Sequence, residues 1–166
     1  MHGERNEVYY LRDFDDETRE EISVEGEHYI QLLDVCFQYC THFSLLLRDC
    51  SVEHVPLMPV PLRSGLSING CCCFYECSLE NRNYLLTKND LFEWLDTETN
   101  PSPEDLTFYR SDGTVFFWSE IHEGICALFD RKDEDVAQLV SKRGWIYYDP
   151  VKKGNHIMIP KTLYST

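Results

Sequence analysis

Cysteine and histidine are the side chains best able to bring chemistry to this 166-residue chain, which holds eight of the first and six of the second. The densest run is Cys71-Cys72-Cys73-Phe74-Tyr75-Glu76-Cys77. On a strand, Cys71, Cys73, Tyr75 and Cys77 share one face, while Cys72, Phe74 and Glu76 share the other. Structural zinc sites instead pair cysteines about two to four apart on a turn, so that both sulfurs reach one ion. No Cys-x-x-Cys occurs in the chain, and a strand holds alternate thiolates apart. Packing on both faces is the favoured role of this run, and no metal or other cofactor is expected. Cys36 and Cys40 lie one helical turn apart, with His42 and His54 as neighbouring ligand types, but they fall on an apolar stripe that reads as core.

His122-Glu123 opens like a zinc-protease helix, which needs a second His three residues after the Glu. Cys126 stands there, and Gly124 weakens a helix at that point. The His-x-Glu and Cys-x-x-Cys of a zinc deaminase are both missing. Neither glycine-rich phosphate loop is present. Asp13-Phe14-Asp15-Asp16-Glu17 begins like a calcium loop, but Thr18 and Val24 occupy the positions that need Gly and Glu. A Cys–His pair distant in sequence stays open as a small enzyme or metal-binding alternative.

Charge is the stronger signal. Fifteen Lys and Arg against twenty-nine Asp and Glu give a net charge of −14. Residues 1–30 hold ten acids and three bases, and residues 76–105 hold eight and two, whereas the stretch from Lys142 onward carries five bases against Asp149. Such a surface repels phosphate backbones and anionic lipids, which argues against direct binding of nucleic acid or membrane. It attracts a basic protein. The candidate partner-binding residues are Asp13, Asp15, Asp16, Glu17, Glu20 and Glu21 in the first segment, and Asp90, Glu93, Asp96 and Glu98 in the second.

These residues need elements to position them. The length fits one domain spanning 1–166, and 43% apolar with 13% aromatic residues supports a packed core. No apolar run is long enough to span a membrane and no leader is evident at Met1, so the expected compartment is the cytoplasm. Residues 7–12 read as a strand, and Asp13 to Glu27 as a loop or helical turn. Glu27 to Cys40 is an amphipathic helix, and His42 to Arg48 a strand apolar on both faces. Pro56, Pro59 and Pro61 make 55–65 an extended internal connection. Gly70 to Cys77 is a strand. A helix is predicted over Thr87 to Asp96 with Thr87 as N-cap and Asp90 three residues on. Strands at 106–110 and 114–118 flank Ser111-Asp112-Gly113, a hairpin signal, and 125–129 is another. A second helix is predicted over Asp133 to Arg143 with Gly144 as its cap, before strands at 145–148 and 156–159 paired around the turn at 152–155. The sum is an α+β chain with a mostly antiparallel sheet of seven to nine short strands and about three packed helices.

One local pattern remains: Pro103-Glu104-Asp105-Leu106-Thr107-Phe108-Tyr109, then Asp112-Gly113, Phe117-Trp118 and His122-Glu123. It resembles small acidic proteins of Firmicutes with a Pro-Glu-Asp-Leu, Asp-Gly, His-Glu pattern, some labelled stage III sporulation AH-like. The match covers about 20 residues and carries no mechanism with it. Glu104 and Asp105 enter a hairpin that His122 and Glu123 leave, with Trp118 between them, so a His–carboxylate contact at the hairpin base is expected, fixing its register. More broadly, the acidic, aromatic-rich α+β chain resembles bacterial immunity proteins. That resemblance implies a non-enzymatic protein that sequesters a basic partner, a toxin or a nucleic-acid-processing protein. The alternative within the same chemistry is a phage-type inhibitor that mimics nucleic acid.

Overall fold

Alternating apolar and polar side chains, interrupted by turn residues, build most of this molecule from strands. The computed structural model describes residues 7–48, 54–60, 66–67, 70–97, 101–131 and 133–149. In chain order these form β1 (Glu7–Arg12), β2 (Phe14–Asp15), β3 (Glu20–Glu21), α1 (Glu27–Tyr39), β4 (His42–Leu47), β5 (Leu66–Ser67) and β6 (Gly70–Glu76). Then come α2 (Leu79–Leu85), β7 (Glu104–Tyr109), β8 (Val115–Glu120), β9 (Ile125–Asp130), α3 (Ala137–Val140) and β10 (Ile146–Tyr148). Eight strands make one sheet in the order β10-β1-β9-β8-β7-β4-β6-β5, with every neighbouring pair antiparallel. β2 and β3 form a separate small hairpin. The expected α+β class and antiparallel sheet are therefore observed. No helix among the described residues is long and apolar enough to cross a membrane.

One sheet face carries Leu11, Phe43, Leu45, Tyr75, Leu106, Phe108 and Leu128, all fully buried with Tyr29, Leu32, Leu33 and Cys36 of α1. Each such side chain contributes on the order of 2 kcal/mol by leaving water. A bulge sharpens this core: Phe108 faces Phe117 but Tyr109 faces Val115, so Phe116 is an extra residue in β8. It lets the consecutive Phe116 and Phe117 both enter the core. A smaller cluster, Trp118, Ile125 and Ala127 with Tyr10 and Phe129, forms separately. Cys71 and Cys73 pair across from Leu47 and Leu45, while Cys72 pairs with Leu46, so the cysteine run does divide between faces.

Two predicted helices are corrected. Over 87–96 there is only a short 3₁₀ turn, Leu91–Glu93, and the helix lies earlier, as α2. Ser78 caps α2, its Oγ accepting the Asn81 amide at 3.1 Å, and the Thr87 hydroxyl instead donates to the Tyr84 carbonyl. The Leu91 amide donates to the Val24 carbonyl at 2.9 Å, so the segment joins the stretch before α1 instead of forming a helix. Leu91 and Trp94 still point inward, and the Trp94 indole donates to the Tyr29 hydroxyl, which donates to the Leu85 carbonyl.

The second helix, predicted over 133–143, shrinks to Ala137–Val140. Glu134 is drawn out of it by buried Arg110, whose Nε donates to Oε2 at 2.8 Å and whose second nitrogen meets Oε1 at 2.6 Å. Glu134 also accepts the Arg131 amide. β10 pairs with β1; the predicted partner strand 156–159 and its turn lie outside the described residues, as do 61–65 of the proline-rich connection.

Candidate functional site

The acidic segment folds as the β2–β3 hairpin because Asp15 organises its turn. The Asp15 carboxylate accepts the Glu17 amide at 2.9 Å, and its carbonyl accepts the Arg19 amide at 2.8 Å. The Glu17 and Thr18 amides, which donate to that carboxylate, hold the Asp15 carboxyl below its ordinary value. The hairpin is moored to the sheet where the Asp13 amide donates to the Gly124 carbonyl at 2.8 Å. Gly124 has φ +62°, and a Cβ there would displace the Asp13 carboxylate, so glycine suits this junction best. Glu20 is ion-paired with Arg143 from the loop before β10.

Between the hairpin and β10 lies a cleft of about 470 Å³. One side is apolar, made by Tyr10, Phe14, Trp145 and Ile146. The same lining includes the carboxylates Asp15, Asp16 and Glu17 and the arginines Arg12 and Arg143, the latter paired with Glu20. Phe14 is 43% exposed and Ile146 49%, and both line this cleft.

Asp90 lies in the second acidic stretch, which meets the segment following the hairpin. Glu25 and Asp90 form an isolated antiparallel bridge, and the Gly26 amide donates to Asn89 at 3.0 Å. Burial, and then the neighbouring Glu25 and Glu93, push the Asp90 carboxyl up. Asp96 has a different position. Its carboxylate accepts the Ser102 amide at 3.2 Å and its own amide donates to Glu104 at 3.1 Å. Glu98 lies outside the described residues.

At the hairpin base the expected His–carboxylate contact is present. Glu104 is fully buried, with His122 Nε2 2.9 Å from Oε2 and the Arg48 guanidinium against Oε1. Its neighbour Asp105 occupies a second bulge, since Ser44 faces Thr107 but Leu46 faces Glu104. Asp105 has φ +59°, a left-handed conformation that Asp and Asn tolerate better than other side chains. Its Oδ1 accepts the Ile121 amide at 2.9 Å, closing the 3₁₀ turn Ile121–Glu123. Trp118 is buried in the smaller cluster, and Glu123 is exposed on the turn. Sequence reasoning missed Arg48, because its partner is 56 residues away and no local pattern links the two.

All seven cysteines among the described residues are free thiols. Burial pushes the Cys36, Cys40, Cys72 and Cys126 thiols up, Cys77 up to about 12 and Cys73 up to about 11. Thiols held protonated in this way are poor nucleophiles and poor metal ligands. Among the described residues no group of three or more His, Cys, Asp and Glu is arranged to hold a metal ion. Comparison with protein-family models, with curated proteins and with solved structures finds no match for this chain.

Proposed function

We propose that this chain is a binding protein that sequesters a basic protein partner in the cytoplasm, in the manner of an immunity protein or antitoxin, and that the hairpin–β10 cleft is where the partner docks. The observation that carries this reading is the pairing, in one cleft, of an exposed apolar wall with a row of carboxylates. Tyr10, Phe14 and Ile146 offer a surface that an apolar or aliphatic stem can cover, and Asp15, Asp16 and Glu17 stand beside it for a lysine or arginine head. Apolar anchors ringed by charge are the usual composition of a tight, selective protein interface. The net charge of −14 extends the attraction beyond the cleft and speeds encounter with a cationic partner. The protonated, buried thiols lend no support to a cysteine-based enzyme.

Differential capture tests the proposal. Native chain and an Asp16→Lys, Glu17→Lys variant, which keeps the Asp15 carboxylate that organises the turn, are each immobilised and exposed to extract of the source cell. The expected result is a basic protein retained by the native chain, released by ~0.5 M salt, and absent from the variant. Identical retention by both chains would remove the hairpin from the account.

A further inference from the structure

A second cleft, of about 330 Å³, opens where β4, β6, β7 and β8 adjoin, and nothing about the hairpin requires it. Asp105 stands in its wall together with Ser44, Thr107, Trp118 and Glu120. Among the described residues no lysine or arginine lines it. One Asp105 oxygen is taken by the Ile121 amide, while no donor among the described residues reaches the other. A partly buried carboxylate in a bulge, in a left-handed backbone that costs an L-residue on the order of 1 kcal/mol, is the kind of local strain that clusters at binding sites. We propose that this cleft binds a primary alkylammonium group, held by the Asp105 carboxylate and the Ser44 and Thr107 hydroxyls with its carbon stem along Trp118.

The chemistry selects an ammonium over a guanidinium. A guanidinium fork matches two free carboxylate oxygens, but only one is open here. An ammonium is a compact charge with three donors. The cleft supplies three kinds of acceptor: the open Asp105 oxygen, the Thr107 hydroxyl and the Ser44 hydroxyl. Thr107 donates to the Asp105 carbonyl at 3.1 Å, and Ser44 shares a hydrogen bond with Tyr109 at 2.8 Å, so both oxygens are fixed in place with lone pairs to offer. Trp118 gives the carbon stem an apolar wall. The charged groups facing Asp105 are Glu104 and Glu120, which favour a cation, and Arg48, which opposes one but is paired with Glu104. The Cys72 thiol is held neutral by burial. Burial raises the Asp105 carboxyl to about 6, so it is charged at neutral pH and its partial desolvation strengthens the attraction.

Titration of isotope-labelled protein with n-butylammonium, followed at the Ile121 amide and the Trp118 indole by NMR, reads the site directly. Saturable shifts are expected at pH 7.5, weakened about tenfold at pH 5 as Asp105 takes up a proton. Asp105→Asn should weaken binding at least tenfold while keeping the fold, because Asn also accepts the left-handed backbone and the Ile121 amide. n-Butanol should leave the resonances in place. A blocked lysine, Nα-acetyl-lysine N-methylamide, distinguishes the source. Binding as tight as butylammonium assigns the site to a lysine side chain of another chain, and binding of butylammonium alone assigns it to a free amine; either outcome supports an ammonium site. Absence of saturable shifts, equal binding by Asp105→Asn, or equal shifts with n-butanol would overturn it.

Discussion

Replacing Asp105 by Asn is expected to make the unliganded protein more stable at neutral pH, although the residue sits in a hydrogen-bonded motif. Burial raises the Asp105 carboxyl from its ordinary 3.8 to about 6, outweighing the Ile121 amide and Arg48, which pull the other way. A carboxyl raised in the folded state contributes stability that is fully present below 3.8 and lost as pH rises through about 6. Above that window the charge costs about 3 kcal/mol, from a gap of about two pH units at ~1.4 kcal/mol each. Asn removes the charge, tolerates φ +59°, and still presents an oxygen to the Ile121 amide. The gain should therefore approach ~3 kcal/mol at pH 7.5 and fall to about 0.5 kcal/mol at pH 4. Urea unfolding of both proteins at the two pH values, with a common m-value, measures it. A loss of stability at pH 7.5, or a gain of the same size at both pH values, would refute the assignment of a partly buried, incompletely compensated charge to this residue.

Arg110→Lys should cost about 3 kcal/mol in urea unfolding. The Arg110 fork meets Glu134 at two oxygens and also donates to the Val115 and Phe129 carbonyls, which one ammonium cannot match. Glu104→Ala should cost about 2 to 3 kcal/mol by the same measurement, since it strands the Asp96 amide and separates Arg48 and His122 from their shared partner, both of which retain some access to water. His28 accepts the Trp145 indole at 2.9 Å, and burial lowers its pKa to about 4. Its neutral form thus supports the fold fully above pH 6.5, and that support is lost as pH falls toward 4. His28→Gln should have a smaller drop in Tm between pH 7 and pH 4.5 than the native chain, and an equal drop would count against the contact.

Much of the sheet was legible because its strands announce themselves locally. Glu7–Arg12 and Ile125–Asp130 alternate or run apolar as strands do, and Asp112-Gly113 marks the β7–β8 hairpin. The helices were less legible. Thr87 and Asp90 carry the right capping chemistry, but the Leu91 amide finds Val24 and Trp94 finds Tyr29, so tertiary partners override the local signal. Asp133, Glu134 and Asp135 likewise suit a helix start until Arg110 claims Glu134. At the motif, residue order alone suggested that His122 meets a carboxylate at the hairpin base, because a hairpin brings its two ends together. It could not show that Asp105 would occupy a bulge, since that depends on the register between β4 and β7. Nor could it show Tyr10 and Ile146 beside the acidic hairpin, because their adjacency comes from β10 pairing with β1.

The central claim is that the acidic hairpin and its apolar wall form the docking surface for a basic protein. Stopped-flow association with the basic protein recovered by differential capture tests it most directly, using the native chain, the hairpin charge-reversal variant and Phe14→Ala. Reversing the Asp16 and Glu17 carboxylates should slow association severalfold at low salt, with the difference shrinking as salt screens the charges. Phe14→Ala should leave association nearly unchanged and speed dissociation severalfold, as expected for an apolar anchor. Rates indistinguishable from native for both variants would contradict the claim.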